Sequence, residues 1–136
     1  MREIKFRYVV QHEETGYITS EIFTYDEIEV GCVNNWLASI PRYFVVSKDQ
    51  YSGLHDKNGK EIYKSNICRI FGFGKAFRQE VVYQNGAFGY CVEHQGFISF
   101  AENHNFHWEN GKSEHIEVIG NIYENPELLE GGTPND

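Results

Sequence analysis

Ile4, Phe6, Tyr8 and Val10 alternate with Glu3, Lys5 and Arg7, the two-residue period of a strand with one buried face. His12-Glu13-Glu14-Thr15-Gly16 is a polar break, and Tyr17 to Thr24 resumes the extended pattern, so the first two strands form a hairpin. Thr24 and Glu27 have the spacing of a capping box, but Gly31 comes too soon for more than a short helical piece. Val33, Trp36, Leu37 and Ile40 then recur at helical spacing, which predicts a short helix over 32–40 that Pro41 stops. Tyr43-Phe44-Val45-Val46 is a continuous apolar run and predicts a strand buried on both faces.

The second half is punctuated by three Asn-Gly pairs, Asn58-Gly59, Asn85-Gly86 and Asn110-Gly111. The first suits the central positions of a type I′ hairpin turn, where both residues need positive φ, the second makes another hairpin turn and the third a further turn. Around the first, Asp56 and Lys57 face Lys60 and Glu61, so opposite charges can pair across the strands. Tyr51, Leu54, Ile62 and Tyr63 are the residues able to anchor this hairpin to a core, and Gly53 lets another backbone pass close by. Further strands are predicted over 67–71, 76–84, 97–101, 106–108 and 115–123. Phe88, Tyr90 and Val92 alternate with Ala87, Gly89 and Cys91, one bulky face against a small one, with Gly89 marking a bend. Asn125 and Pro126 start a helical turn that tucks Leu128 and Leu129 inward.

Many short strands at turn-marked intervals indicate an all-β chain, a small barrel or sandwich with one short helix. The 136 residues suit one domain over 1–130, with an N-terminal β-lobe over about 1–48, a hairpin and barrel-like lobe over about 49–130, and a mobile tail at 131–136.

The block Asp49 to Tyr63, DQYSGLHDKNGKEIY, changes this picture, because from Gln50 onward it resembles the signature of the YopX-like family of phage and prophage proteins. The opening MREIKFR and the late run from Ile116 to Leu129, IEVIGNIYENPELL, resemble that family's two ends. The resemblance implies an all-β architecture and a phage origin, and it brings no established activity. Family members continue after the hairpin with an acidic residue, Gly, Asp and an aliphatic, whereas this chain has Lys64-Ser65-Asn66-Ile67. Asn66 keeps the hydrogen-bonding geometry of Asp, but Ser65 does not replace Gly freely.

Composition narrows the function. Ten Phe and nine Tyr with little Ala or Leu favour strands. A net charge of −8 argues against a protein that grips duplex DNA through its phosphates. Cys32, Cys68 and Cys91 are odd in number and unpaired in spacing, and no secretory leader or apolar run of roughly 20 residues precedes or interrupts them. They read as reduced thiols of a cytoplasmic protein with no membrane partner.

Three chemistries compete for the candidate residues. Cys91-x-x-His94 and His104-x-x-His107 supply four ligand types that zinc accepts, although residues three apart on a strand face opposite sides. Cys68 or Cys91 beside a histidine can be written as a dyad, but no nucleophile elbow or phosphate-cradling loop accompanies them, and Gly72-Phe73-Gly74-Lys75 is too short for a Walker loop. Tyr43, Tyr51, Phe71, Phe73, Lys75, Phe77 and Arg78 are the candidates for a surface that stacks single-stranded nucleic acid or contacts a protein. The preferred reading is a non-enzymatic interaction module of phage origin. It has no catalytic residue, metal or cofactor, forms a homo-oligomer, and takes a host or phage protein as partner; single-stranded nucleic-acid binding is the first alternative, and a zinc-binding protein or enzyme using Cys91, His94, His104 and His107 the second.

Overall fold

A computed structural model describes residues 3–72, 74–93, 95–101 and 106–129. It is predominantly antiparallel β, as the turn spacing predicts, in three small sheets, none of which closes into a barrel among the described strands. The chain divides into two compact units, Met1–Tyr51 and Ser52–Asp136.

In the first unit, β1 (Lys5–His12) pairs antiparallel with β2 (Ile18–Thr24). His12 closes the turn between them: its Nδ1 accepts hydrogen bonds from the backbone N–H groups of Glu14 and Thr15. The capping box forms as spaced, Thr24 Oγ1 accepting from Glu27 N while Glu27 Oε1 accepts from Thr24 N, and it starts α1 (Tyr25–Glu29). α2 (Cys32–Ala38) follows and ends short of Pro41. The helices cover one face of the sheet with a small cluster of Tyr8, Phe23 and Val33, flanked by Phe6, Ile28, Cys32, Trp36 and Leu37. Tyr8 meets Phe23 edge-on at 5.7 Å, a favoured aromatic geometry.

β3 (Tyr43–His55) adds to the other side of β1, giving the order β2-β1-β3, with β4 (Glu61–Tyr63) next beside β3. The β1–β3 register shifts between Val9 and Val10: Val9 lies opposite Ser47 and Val10 opposite Val45. This corrects the reading of Tyr43 to Val46 as doubly buried. Phe44 is 49 % and Val45 40 % exposed, with the polar Gln11 opposite Phe44.

The second unit holds the sheets β10-β5-β6 and β7-β8-β9, from β5 (Asn66–Gly72), β6 (Lys75–Glu80), β7 (Val82–Gln84), β8 (Ala87–Val92), β9 (Gly96–Ser99) and β10 (Ile116–Asn121). The run expected as one strand over 76–84 is split at the buried Val81, whose N–H donates to Asn66 O and whose carbonyl accepts from Ser65 N. Gly89 marks a close approach of two strands: a Cβ there would sit 2.1 Å from Ile98 O on β9. The core gathers Ile62, Cys68, Ile70, Val81, Phe88, Tyr90, Phe100, Phe106, Ile116 and Val118.

Phe106 to Trp108 is not a strand. Phe100, Phe106 and Trp108 instead pack on one another, with Trp108 Nε1 donating to Phe100 O at 2.9 Å, so aromatic packing replaces ladder pairing there. At the C-terminal end, a 3-10 turn spans Pro126–Leu129, and Leu128 N donates to Asn125 O. Leu128 is half-buried but Leu129 is 39 % exposed, so only one of the two leucines turns inward, as a single turn presents one side. The expected tail at 131–136 lies outside the described residues.

Candidate functional site

The signature hairpin is built around a buried carboxylate. Asp56 is 1 % exposed; its Oδ1 accepts from Asn58 N at 2.9 Å and Lys60 N at 2.8 Å, and its Oδ2 from Val118 N at 2.9 Å. Three backbone donors are thereby satisfied by one side chain, and the hairpin is tied to β10. Asp56 is thus a backbone organiser and not the cross-strand charge partner that its position suggests.

This geometry also changes the turn. Gly59 has φ +81° and its N–H donates to Asp56 O, while Asn58 is absent from the positive-φ residues, so the loop is a type I turn followed by a left-handed glycine. The other two pairs are turns as predicted, and both have the two positive φ values of type I′: Asn85 and Gly86 have φ of 51° and 81°, Asn110 and Gly111 of 52° and 77°. Asp56 makes the difference, because a carboxylate two residues before Asn58 captures that residue's N–H.

The anchors behave as anchors. Tyr51, Ile62 and Tyr63 are buried and Leu54 half-buried. Immediately after them Ser65, buried, adopts φ +72°, the conformation that glycine would take without strain. Asn66 Oδ1 accepts from Tyr63 N at 2.7 Å and its Nδ2 donates to Gly120 O at 3.3 Å, so the amide does the hydrogen bonding and Ser65 carries the strained backbone.

The seven candidate contact residues spread over both units. Tyr43 packs edge-on against His12, with ring centroids 4.9 Å apart, and Tyr51 is buried beneath Lys5 Nζ at 4.8 Å. Phe71 lies under Lys57 Nζ at 5.2 Å. On β6, Lys75 and Phe77 leave one face and Arg78 the other, since strand side chains alternate; Arg78 lies opposite Arg69 and Phe77 opposite Ile70. Phe73 lies outside the described residues.

Of the zinc candidates, His94 and His104 are outside the described residues. Cys91 is exposed on β8, and His107 sits in a loop at φ +51°. Among the described residues, no group of three or more His, Cys, Asp or Glu is placed to hold a metal ion. Cys68 is fully buried, and that burial, with the nearby Asp56 charge, pushes its thiol strongly up against a smaller opposing pull from Lys60. It is a small core residue and a poor nucleophile.

What the sequence reading missed is how many large hydrophobic residues the first unit leaves exposed. Of the ten large hydrophobic residues that stay exposed among the described residues, seven lie there: Ile4, Tyr17, Ile22, Tyr25, Val30, Phe44 and Val45. The register sets Ile22 opposite Arg7, and both Ile18 and Phe44 opposite Gln11, so Ile22 and Phe44 leave the sheet on the face away from Tyr8 and Phe23. The signal that could have found Phe44 is its pairing with Gln11, which appears only once the bulge in β3 is known.

No helix among the described residues is long and apolar enough to cross a membrane. The chain is similar in fold to protein EF1440 from Enterococcus faecalis, known from a crystal structure, with a TM-score of 0.51 and 23 % identity over 96 % of this chain and 100 % of that one. No curated protein matches the chain. The family model described as YopX protein matches residues 3–130, which takes in the hairpin and both ends of the domain, and the chain therefore belongs to the YopX family.

Proposed function

We propose that this protein is a non-enzymatic interaction module of phage or prophage origin, cytoplasmic, that assembles with copies of itself through its first unit. The observation that carries the reading is the exposed apolar set of that unit, above all Ile22 and Phe44, which leave the same face of the sheet. Large exposed apolar residues grouped on one small unit mark a contact surface. β2 is also a sheet edge, pairing only with β1 among the described strands, and edges of this kind are covered in natural proteins.

A host or phage protein is the further partner, and an acidic chain with net charge −8 favours a basic one. Sedimentation equilibrium tests the assembly: a defined oligomer at micromolar concentration is expected, and a monomer throughout the high micromolar range overturns it. In the same solutions, single-stranded DNA at low salt is expected to leave the sedimentation unchanged.

A further inference from the structure

One continuous stretch of the first unit gathers acids and lacks cations. Residues 8–41 hold Glu13, Glu14, Glu21, Asp26, Glu27 and Glu29, and none of the chain's twelve Lys and Arg. Glu13 and Glu14 pair with Arg42, and Glu27 caps α1 by accepting from Thr24 N, whereas Glu21, Asp26 and Glu29 engage no cation among the described residues. α1 buries none of its residues. At about 100° per helical residue, Tyr25, Glu29, Asp26 and the C-cap Val30 follow one another along one arc, with Ile28, which packs on the Tyr8 cluster, on the other side. Tyr25 is 50 % and Val30 77 % exposed. Hydrogen bonding to Glu29, and then that carboxylate's charge, raises the Tyr25 phenol above its ordinary value, so a ring and a charge stand side by side. Glu21 lies opposite Tyr8 in the β1–β2 register and therefore leaves the sheet on the face that the helices cover.

We propose that the outer face of α1, together with Glu21, docks a basic amphipathic segment of a partner protein, whose Lys or Arg meet Glu21, Asp26 and Glu29 and whose apolar side chains cover Tyr25 and Val30. The inference rests on the interaction-module reading above and names the chemistry of the partner. Charge complementarity selects the occupant. A second copy would bring the same unpaired carboxylates face to face, and nucleic acid or an anionic membrane would bring phosphates against them. The aromatic and aliphatic side chains on the same arc gain from contact only when apolar groups cover them, which a plain polycation lacks. Ile22 and Phe44 leave the opposite face of the sheet, so self-assembly and this docking do not compete for one surface.

The probe is a fluorescent peptide of about 15 residues with Leu and Lys at amphipathic helical spacing, beside a second peptide in which Ser replaces every Leu. Anisotropy titrations in about 0.15 M salt, which screens distant charges, are run on the full chain and two double variants. Asp26→Asn with Glu29→Gln alters the α1 face; Glu109→Gln with Glu114→Gln removes the same charge from exposed positions of the second unit. The expected result is that the leucine peptide binds the natural chain about tenfold more tightly than the serine peptide, weakens about tenfold in the α1 variant, and stays within about twofold in the other. No binding of the leucine peptide, equal binding of the two peptides, or an α1 variant weakened no more than the second-unit variant overturns the proposal. The Thr24–Glu27 box is untouched, and thermal melts verify folding. If the α1 variant does not fold, Val30→Ser replaces it, and undiminished affinity is then the contradicting outcome. Sedimentation of the same samples without peptide separates the two readings: an oligomer that ignores the peptide sinks this proposal alone, and a monomer that binds it sinks self-assembly alone.

Discussion

The two units of this chain solve the same problem to different degrees. Among the described residues, the second gathers ten buried apolar residues into one core cluster and leaves three large hydrophobic residues exposed; the first gathers three into its cluster and leaves seven. A unit of about fifty residues cannot bury much of its own apolar surface. The consequence is a difference in kind: the second unit is closed around its own core, and the first leaves most of the exposed hydrophobic residues to solvent.

Breaking the second unit should therefore cost most. Asp56→Ala leaves three backbone N–H groups near the core without their acceptor, and a loss of about 4 kcal/mol in urea unfolding is expected. Asp56→Asn keeps one acceptor oxygen and should lose less. Phe100→Ala, at a residue 1 % exposed and in contact with Phe106, Tyr90 and Trp108, should cost about 3 kcal/mol or more. Phe23→Ala removes the same atoms from the smaller cluster, which is already partly open to water, and the loss should be smaller. Equal losses for the two phenylalanines would erase the distinction drawn between the units.

A finer probe lies at the altered turn. Ser65→Gly should be more stable than Ser65→Ala by about 1 kcal/mol, because both lose the hydroxyl but only glycine adopts φ +72° without strain. Parity between the two variants would mean that this backbone carries no strain.

The thiols offer the mildest test. Cys91 should react with an alkylating reagent in the native protein, whereas Cys68 should react only on unfolding. The folded Cys68 thiol holds its proton above the ordinary value of 9.0, so its contribution to stability is complete below that pH and is lost as pH rises through and beyond it, when the unfolded chain ionises first. A reactive native Cys68 at pH 8 would contradict its burial.

These effects also show what the sequence could and could not reveal. Local chemistry was legible: the Thr24–Glu27 box, the α2 segment and the turns at Asn85-Gly86 and Asn110-Gly111 depend on residues within a few positions of each other. The family hairpin was legible as a resemblance, but its turn type was not, because Asp56 binds Val118 N from 62 positions away as well as its own loop. Likewise the exposure of Phe44 depends on a bulge, and a shift of one residue in register moves side chains between faces.

The central claim is that the first unit assembles through its exposed apolar face, and native mass spectrometry of the natural chain beside Phe44→Lys tests it most directly. Phe44 is half exposed, so the substitution should change the stability of a single chain by no more than about 0.5 kcal/mol. The account predicts a defined oligomer for the natural chain and a folded monomer for the variant. A natural chain that is monomeric, or an oligomer that the lysine leaves intact, would contradict it.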